Sequence, residues 1–163
     1  MFRLPFRFGY LTGLLLALLL GFYLIQLWQP RNQIRLHNQH FLQALEARDW
    51  SDVAAVVDPT YLDQWGQDRT LVLERVREVL RLLRKLRVEN HERSIRVAGA
   101  TGIWVGRILL HADESEFSPG ITQRVNKLEE PFEFRWRRAS WKPWDWKLVR
   151  ASNAALELPA NGF

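Results

Sequence analysis

Cysteine is absent from this 163-residue sequence, which excludes disulfides, cysteine nucleophiles and thiolate metal sites. The sequence also has no glycine-rich phosphate loop and no serine nucleophile elbow. We therefore expect neither a P-loop nucleotide site nor a thiol or serine hydrolase. A cysteine-free domain folds in either redox compartment, so this absence does not indicate on which side of a membrane the protein works.

Clusters of metal ligands are also missing. His37 and His40 are three residues apart on a predicted helix, a spacing that can hold a metal, but no third ligand follows at a metal-site spacing. A solvated helix face is the favoured interpretation of this pair. We predict no metal and no cofactor.

Charge is absent from the stretch Gly9 to Trp28. A helix of this length, at about 1.5 Å per residue, spans about 30 Å, the thickness of a bilayer's hydrocarbon core. Tyr10, Tyr23 and Trp28 lie near its ends, where aromatic rings settle among lipid headgroups. We predict a basic tail over residues 1–8 and a transmembrane helix over residues 9–28.

This segment fits a retained anchor better than a cleaved signal peptide. Its apolar run exceeds the roughly 7–15 residues of a signal-peptide core, and residues 26–30 offer bulky or polar side chains where cleavage needs small ones. Arg3 and Arg7 favour a cytoplasmic N-terminus, although Arg31 and Arg35 nearly balance them. We expect a single-pass protein of the cell membrane with its C-terminal domain on the extracytoplasmic side.

The remaining chain is only mildly basic. The whole sequence has 23 Lys and Arg against 18 Asp and Glu, and two of the basic residues, Arg3 and Arg7, precede the apolar stretch, so the rest carries a net charge of +3. Nucleic-acid binding calls for basic charge concentrated on one face. Anionic lipid headgroups are an equally good target beside a bilayer, and we predict a membrane partner and no nucleic acid.

Apolar side chains recur with helical spacing in three further segments. They predict helices over Asn32 to Arg48, over Asp52 to Val57 with Ser51 as N-cap, and from Asp68 or Thr70 through Leu86. Basic residues crowd the predicted end of the third helix, and we prefer a favourable interaction with the helix dipole over a binding patch as their role: Arg81, Arg84, Lys85 and Arg87.

Beyond Val88 the pattern becomes that of strands, and four are predicted: Ser94–Val97, Ile103–Ala112, Ile121–Arg138 with a bulge or edge at Pro131, and a last one from Trp144. Residues 113–120 are predicted to form a loop, and residues 154–163 a tail. Three helices followed by an antiparallel meander predict an α+β domain with helices packed on one face of a curved sheet.

Two stretches resemble a known superfamily. Together with the order of elements, FLQALEARDWSDVAAVVDPTYLDQWG and the terminal PWDWKLVRAS resemble the nuclear transport factor 2-like (SnoaL-like) cone fold. The resemblance covers about Gln33 to Ser152, and we assign the domain to residues 31–153.

The resemblance implies a ligand pocket. Its mouth would include Tyr61 and Trp65, and Trp104, Trp136 and Trp146 would line the interior, with core filling as the alternative for each ring. In an enzyme of this type Asp58 or Asp63 would be the general base. A further histidine, His111, alternates with apolar residues and is expected to face inward, whereas His91 is expected to be exposed.

Two function classes follow. The first is a membrane-anchored binding or scaffold module that holds an apolar ligand, a lipid or a protein partner at the membrane surface. The alternative is an isomerase, cyclase or hydrolase that acts on an apolar substrate. A homodimer through the exposed sheet face and a protein partner in a membrane complex are further expectations, and Trp141 at a predicted turn is expected to reach a membrane or partner.

Overall fold

A computed structural model of the protein describes residues 6–114 and 120–156. These residues form five helices and four strands: α1 Phe6–Leu27, α2 Pro30–Ala47, α3 Trp50–Val56, α4 Arg69–Arg81, β1 Leu83–Ala98, β2 Thr101–Glu114, α5 Ile121–Asn126, β3 Phe132–Arg138 and β4 Trp146–Ser152. The strands pair antiparallel in the order β1-β2-β3-β4. The predicted α+β class, with helices packed on one face of an antiparallel sheet, is confirmed.

The core lies between the sheet and helices α2 and α3. Inward-facing rings of the strands meet Ile34 and Phe41 of α2 and Val53 of α3. Two glycines of β2 allow this close packing, because a side chain at Gly102 would collide with Ile34 and one at Gly106 would collide with the indole of Trp104.

Helix α1 contains one segment, Gly9–Leu27, that is long and apolar enough to span a membrane. No residue of this segment is buried against the rest of the described chain. Pro30 then opens α2, a position where its missing N–H costs nothing.

Two side chains of α2 tie it to the end of α1. The Asn32 amide donates to the Gln26 carbonyl at 2.7 Å, and the Gln33 amide donates to the Leu27 carbonyl at 2.8 Å. The last carbonyls of a helix have no partner within it, so the Gln33 bond satisfies the Leu27 carbonyl, whereas the Gln26 carbonyl also accepts from the Gln29 backbone amide at 3.3 Å. The junction is therefore a capped turn that holds the two helices together.

The N-caps of α3 and α4 are both aspartates. Asp49 accepts from the Asp52 amide at 3.1 Å and starts α3 at Trp50, so the prediction of Ser51 as cap is wrong. Asp68 accepts from the Leu71 amide at 2.9 Å, as one of the two predicted caps of α4.

The first strand begins far earlier than predicted. Helix α4 ends at Arg81, and β1 starts at Leu83 instead of Ser94. A bulge between Arg84 and Arg87 inserts one extra residue, with Lys85 at a φ of 47°. The bulge puts Leu83 and Leu86 in one buried cluster, so their three-residue spacing imitates a helix.

The basic cluster is accordingly split between two elements. Only Arg81 belongs to the last turn of α4, where a cation favours the dipole. The dipole interpretation is wrong for the other three, Arg84, Lys85 and Arg87, because they are exposed residues of β1.

The predicted strand over Ile121–Arg138 is correct only in its second part: Phe132–Arg138 is strand β3, but Ile121–Asn126 is helix α5. Asn126 at the end of α5 bonds both the amide and the carbonyl of Leu110, each at 2.8 Å. Pairing of β2 with β3 ends at Gly106 and Phe132, and beyond that point α5 packs against the unpaired edge of β2. Of the predicted loop, residues 115–119 lie outside the described residues.

The other edge of the sheet is covered by the segment that follows α3. The Asp58 amide donates to Leu148 at 2.9 Å, and the Gln64 amide donates to Ala151 at 3.3 Å. This segment, residues 57–64, thus runs along β4. Strand β4 itself begins at Trp146, and Trp144 lies in the β3–β4 loop.

Candidate functional site

Asp58, the first candidate base, is held by contacts within the chain. It is 3% exposed and accepts from the Thr60 amide at 2.9 Å and from its hydroxyl at 2.7 Å. Arg137 Nη2 donates to both carboxylate oxygens at 2.9 Å. Burial opposes ionisation, but the bonds from Thr60 and Arg137 outweigh it and hold the pKa of Asp58 below its ordinary value.

Asp63, the second candidate, organises the turn that follows. It is 4% exposed and accepts from the Trp65 amide at 2.9 Å and the Gln67 amide at 2.8 Å. Burial raises the pKa of Asp63, although these two hydrogen bonds oppose the rise. Both carboxylates thus have structural partners, and their catalytic role stays a prediction.

The predicted pocket mouth is packed. Tyr61 is buried, and burial raises the pKa of its hydroxyl. Trp65 is half-buried, with its Nε1 donating to the Leu156 carbonyl at 2.8 Å. Both rings lie against the C-terminal part of the domain.

The predicted interior rings, Trp104, Trp136 and Trp146, are each at most 1% exposed and belong to one core cluster. Trp104 stacks on Phe134 with ring centroids 5.5 Å apart. Trp146 Nε1 donates to the Pro143 carbonyl at 2.8 Å. The three rings fill the cone in this structure, and their contact with a ligand stays a prediction.

The core also contains buried polar groups that the sequence did not flag. Among the described residues, the Asn38 side-chain amide and Trp136 Nε1 are buried without a hydrogen-bond partner. Asn38 lies on the buried side of α2 and is 1% exposed. An unsatisfied buried amide costs about 1–3 kcal/mol, so Asn38 is a candidate for a polar contact with a ligand inside the cone.

An open cleft of about 360 Å³ lies outside the core, between α2, α3 and the start of β4. It is lined by side chains from four separate parts of the chain: His37, His40, Asp52, Ala55, Val56, Lys142, Trp144, Asp145, Trp146 and Lys147. Two lysines face two aspartates, so the formal charges of the lining balance.

His37 connects the floor of the cleft to its aromatic wall. Its Nε2 lies 2.7 Å from the Trp144 carbonyl, and a neutral ring protonated at Nε2 donates there. Burial lowers the pKa of His37, while the bond to Trp144 opposes that change. His37 is therefore a neutral donor at physiological pH.

A second histidine pairs with a carboxylate at the rim. His40 Nε2 lies 3.4 Å from Asp52 Oδ2, and both side chains are about half exposed. Lys147 donates from Nζ to the Ala55 carbonyl at 2.7 Å. No group of three or more His, Asp or Glu side chains is placed to hold a metal among the described residues.

The cleft opens beside the end of α1. The ring centroids of Trp28 and Trp144 are 6.1 Å apart, so one wall of the cleft touches the residue that follows α1. Trp141, earlier in the same loop, is 83% exposed. The two remaining histidines are distant: His91 and His111 are exposed and both lie near Glu89, so the inward orientation expected for His111 is wrong.

Comparison with known proteins gives a likeness of structure alone. No protein-family model matches the chain, and no curated protein matches it. An NTF2-like protein from Cytophaga hutchinsonii is 14% identical, covers 76% of this chain and 95% of its own, and has a TM-score of 0.55.

Two further solved structures are similar. A proposed dehydratase of the NTF2-like family from Streptomyces avermitilis is 17% identical, with 74% of this chain and 91% of that chain covered and a TM-score of 0.51. A proposed calcium/calmodulin-dependent protein kinase type II association domain from Thiobacillus denitrificans is 16% identical, with 74% and 93% covered and a TM-score of 0.55. The chain has the NTF2-like fold.

Proposed function

We propose that the protein is a single-pass, membrane-anchored binding module whose cone domain holds an apolar ligand, a lipid or a protein partner at the membrane surface. The observation that carries the proposal is the junction of α1 with the domain. Helix α1 is apolar and unburied, its last carbonyls are capped from α2, and Trp28 contacts the wall of the cleft.

Each part of this junction supports an anchor. A helix that is apolar on all sides and not buried by its own protein belongs in lipid. A signal peptide that is cleaved has no use for hydrogen bonds to the mature domain. Arg3 and Arg7 support an extracytoplasmic domain by the positive-inside rule.

Binding is the activity that the site supports best. The two predicted bases carry hydrogen bonds that hold the segment 57–68, whereas the cleft is lined by the His37 ring, whose Nε2–H is already bonded to the Trp144 carbonyl, by an indole and by two lysines. This mixture suits a ligand with both apolar and polar parts, as a few placed polar groups on an aromatic wall usually do.

An enzyme is the second candidate. The His40–Asp52 pair lies in the cleft, and a histidine oriented by a carboxylate is a common general base. The name of the Streptomyces avermitilis protein, a proposed dehydratase, is consistent with such chemistry on this fold. Proton transfer that His40→Gln abolishes, with ligand binding retained, would favour the isomerase, cyclase or hydrolase over the binding module.

Homodimerisation through the exposed sheet face is a further proposal. Arg96, Ile103, Arg135 and Arg150 are directly opposite one another across the four strands. Arg135 and Arg150 are neighbouring like charges that repel, whereas Arg96 is paired with Glu133 at 3.6 Å, so a second copy would need to bring acidic side chains to Arg135 and Arg150. Detergent-solubilised protein that cross-links only as monomer would count against the dimer.

Membrane extraction tests the anchor. We expect the full chain to remain in the membrane pellet after alkaline carbonate treatment. Leu15→Arg with Leu18→Arg should release it, because each central arginine costs about 2.5–3.5 kcal/mol of insertion. Leu62→Arg is the matched control, since Leu62 is an exposed leucine of the domain. Release of the unsubstituted chain would refute the anchor.

Two further measurements separate the parts of the proposal. Protease added to spheroplasts should digest the domain if it is extracytoplasmic, and protection of residues 31–163 would reverse the orientation. Purification in mild detergent, with mass spectrometry of proteins and lipids, should recover a ligand or partner that is lost from a Trp144→Ala variant.

A further inference from the structure

The β3–β4 loop, residues 139–145, carries exposed aromatic and basic side chains next to α1. We propose that this loop docks on the same bilayer surface that α1 enters, with the Trp141 ring among the headgroups of anionic phospholipids. This inference rests on the proposed membrane anchor.

The contact between Trp28 and Trp144 sets the height of the loop. Trp28 directly follows α1, so in an inserted chain it lies at the level of the headgroups. Its ring centroid is 6.1 Å from that of Trp144, which places Trp144 at the same level. Trp141 is three residues away in the same loop and, among the described residues, is the most exposed large apolar side chain.

Hydrogen bonds hold the loop in this position. The Ala139 amide donates to the Asp145 carbonyl at 2.7 Å and closes the loop at its base. His37 then fixes the Trp144 carbonyl to α2, and α2 is itself bonded to the end of α1. The loop is preorganised relative to the anchor, so little ordering is needed when it meets a surface.

The side chains of the loop match a lipid interface. An indole has an apolar body and one polar N–H, which is why tryptophan collects at the boundary between hydrocarbon and water. Lys142 adjoins Trp141 and is exposed, and Arg31 is exposed just beyond Trp28. Such cations are attracted to the negative surface of an anionic membrane.

Strand β2 offers a position far from the loop. Thr101 pairs with Arg137 near the loop, whereas Asp113 is at the other end of β2. Twelve residues of strand at about 3.3 Å each separate these ends by about 40 Å. Asp113 therefore serves as the position distant from the docked loop.

Single-cysteine labelling tests the docking, because the chain has no cysteine of its own. The full-length variants Ala139→Cys and Asp113→Cys are labelled with a fluorophore and reconstituted in vesicles of phosphatidylcholine and phosphatidylglycerol. Ala139 is exposed at the base of the loop, so labelling it leaves Lys142 in place. Lipids with a spin label at the headgroup should quench the label at position 139 several-fold more than the label at 113. Adding Trp141→Ala to Ala139→Cys should remove most of that difference, whereas Trp141→Phe should keep part of it.

Flotation of the same vesicles separates the two proposals. If the chain floats with the vesicles but the label at 139 is no more quenched than the label at 113, the anchor stands and the docking is refuted. If the chain does not float, the anchor fails and the docking fails with it. Shielding of the label in native membranes but not in lipid vesicles would identify a protein contact and also overturn the docking.

Discussion

The ion pair of Asp58 with Arg137 decides whether Asp58 is a structural carboxylate or a base. A general base works best with a pKa raised toward the working pH, whereas the contacts of Asp58 lower its pKa. Arg137→Met removes the cation while keeping most of the side chain's volume. Arg135→Met is the matched control, because Arg135 is an exposed arginine two residues earlier on β3, and the described residues give it no ion pair.

The expected magnitude follows from the burial of the two partners. The Asp58 side chain is 4% exposed, but that of Arg137 is 48% exposed, so solvent around Arg137 weakens the interaction between the two charges. A buried carboxylate that loses a charged hydrogen-bond donor costs about 1.5–3 kcal/mol, and the exposure of Arg137 lowers our expectation to about 1–2 kcal/mol. Arg135→Met should cost less than about 0.5 kcal/mol.

The dependence on pH gives the sharper test. Because the folded pKa of Asp58 lies below that of the unfolded chain, about 3.9, its stabilisation is fully present above that value. The stabilisation is lost as the pH falls through the folded pKa. The stability difference between the unsubstituted chain and Arg137→Met should therefore shrink on acidification below about pH 4.

Urea unfolding of the full chain in mild detergent, followed by tryptophan fluorescence, measures these differences. Asp58→Asn and the double variant complete a double-mutant cycle, and the coupling energy should be close to the cost of Arg137→Met alone. A coupling energy near zero, or a stability difference that does not change with pH, would show that the ion pair does not hold Asp58. Asp58 would then return as a candidate base.

Three further predictions test the core and the cleft. Gly106→Ala should lower the free energy of unfolding by about 1–3 kcal/mol, because the added carbon meets the Trp104 ring and the His91 carbonyl. Gly102→Ala should lower it less, because the carbon added there collides only with the end of the Ile34 side chain. Urea unfolding of both variants would contradict this reasoning if Gly102→Ala were the more destabilising. Asn38→Leu should raise the free energy of unfolding by about 1–3 kcal/mol, because it removes a buried amide that has no hydrogen-bond partner. Asn32→Leu is the control and should be destabilising, because the Asn32 amide is hydrogen-bonded. A lower free energy of unfolding for Asn38→Leu would indicate that the Asn38 amide has a partner inside the cone. Because the pKa of His37 is lower in the folded chain, the unfolded chain binds more protons than the folded chain in acid. The free energy of unfolding should therefore fall as the pH drops below about 6.5, and it should fall less in His37→Gln. Equal acid sensitivity of the two chains would refute this prediction.

The parts of the fold that could be predicted are those determined by nearby residues. Helix α2 follows from apolar periodicity, and Asp68 starts α4 because its side chain bonds an amide three residues on. Alternation in β3 correctly separates Phe134 and Trp136, which are buried, from Arg135, which is exposed.

The missed elements depend on distant contacts. The start of β1 was hidden because a bulge gives a strand the spacing of a helix, and no local rule specifies where a bulge lies. Helix α5 has only six residues, too few to be stable alone, and Asn126 holds it to β2 through bonds to Leu110. Such bonds are not visible in periodicity.

The site was the least predictable part for the same reason. Sequence alone flagged His37 and His40 as neighbours on one helix face, but the cleft also needs Asp52, Trp144 and Lys147 from other elements. Their meeting depends on how β4 pairs with β3 and on the side chains that join α2 to α1. The resemblance to a cone fold predicted a site in the interior, whereas the accessible polar side chains of the cleft lie outside it, near the end of α1.

The capped junction is what would make an anchor relevant to binding. A flexible tether limits only the distance between a domain and the bilayer, and the domain still samples every orientation. Here Gln33 binds the end of α1, and His37 on the same helix binds the loop that carries Trp144. One helix thus links the apolar helix α1 to a wall of the cleft. The proposed docking of that loop removes the remaining rotational freedom, so a ligand carried in the headgroup layer would meet the cleft at a high effective concentration without any new contact.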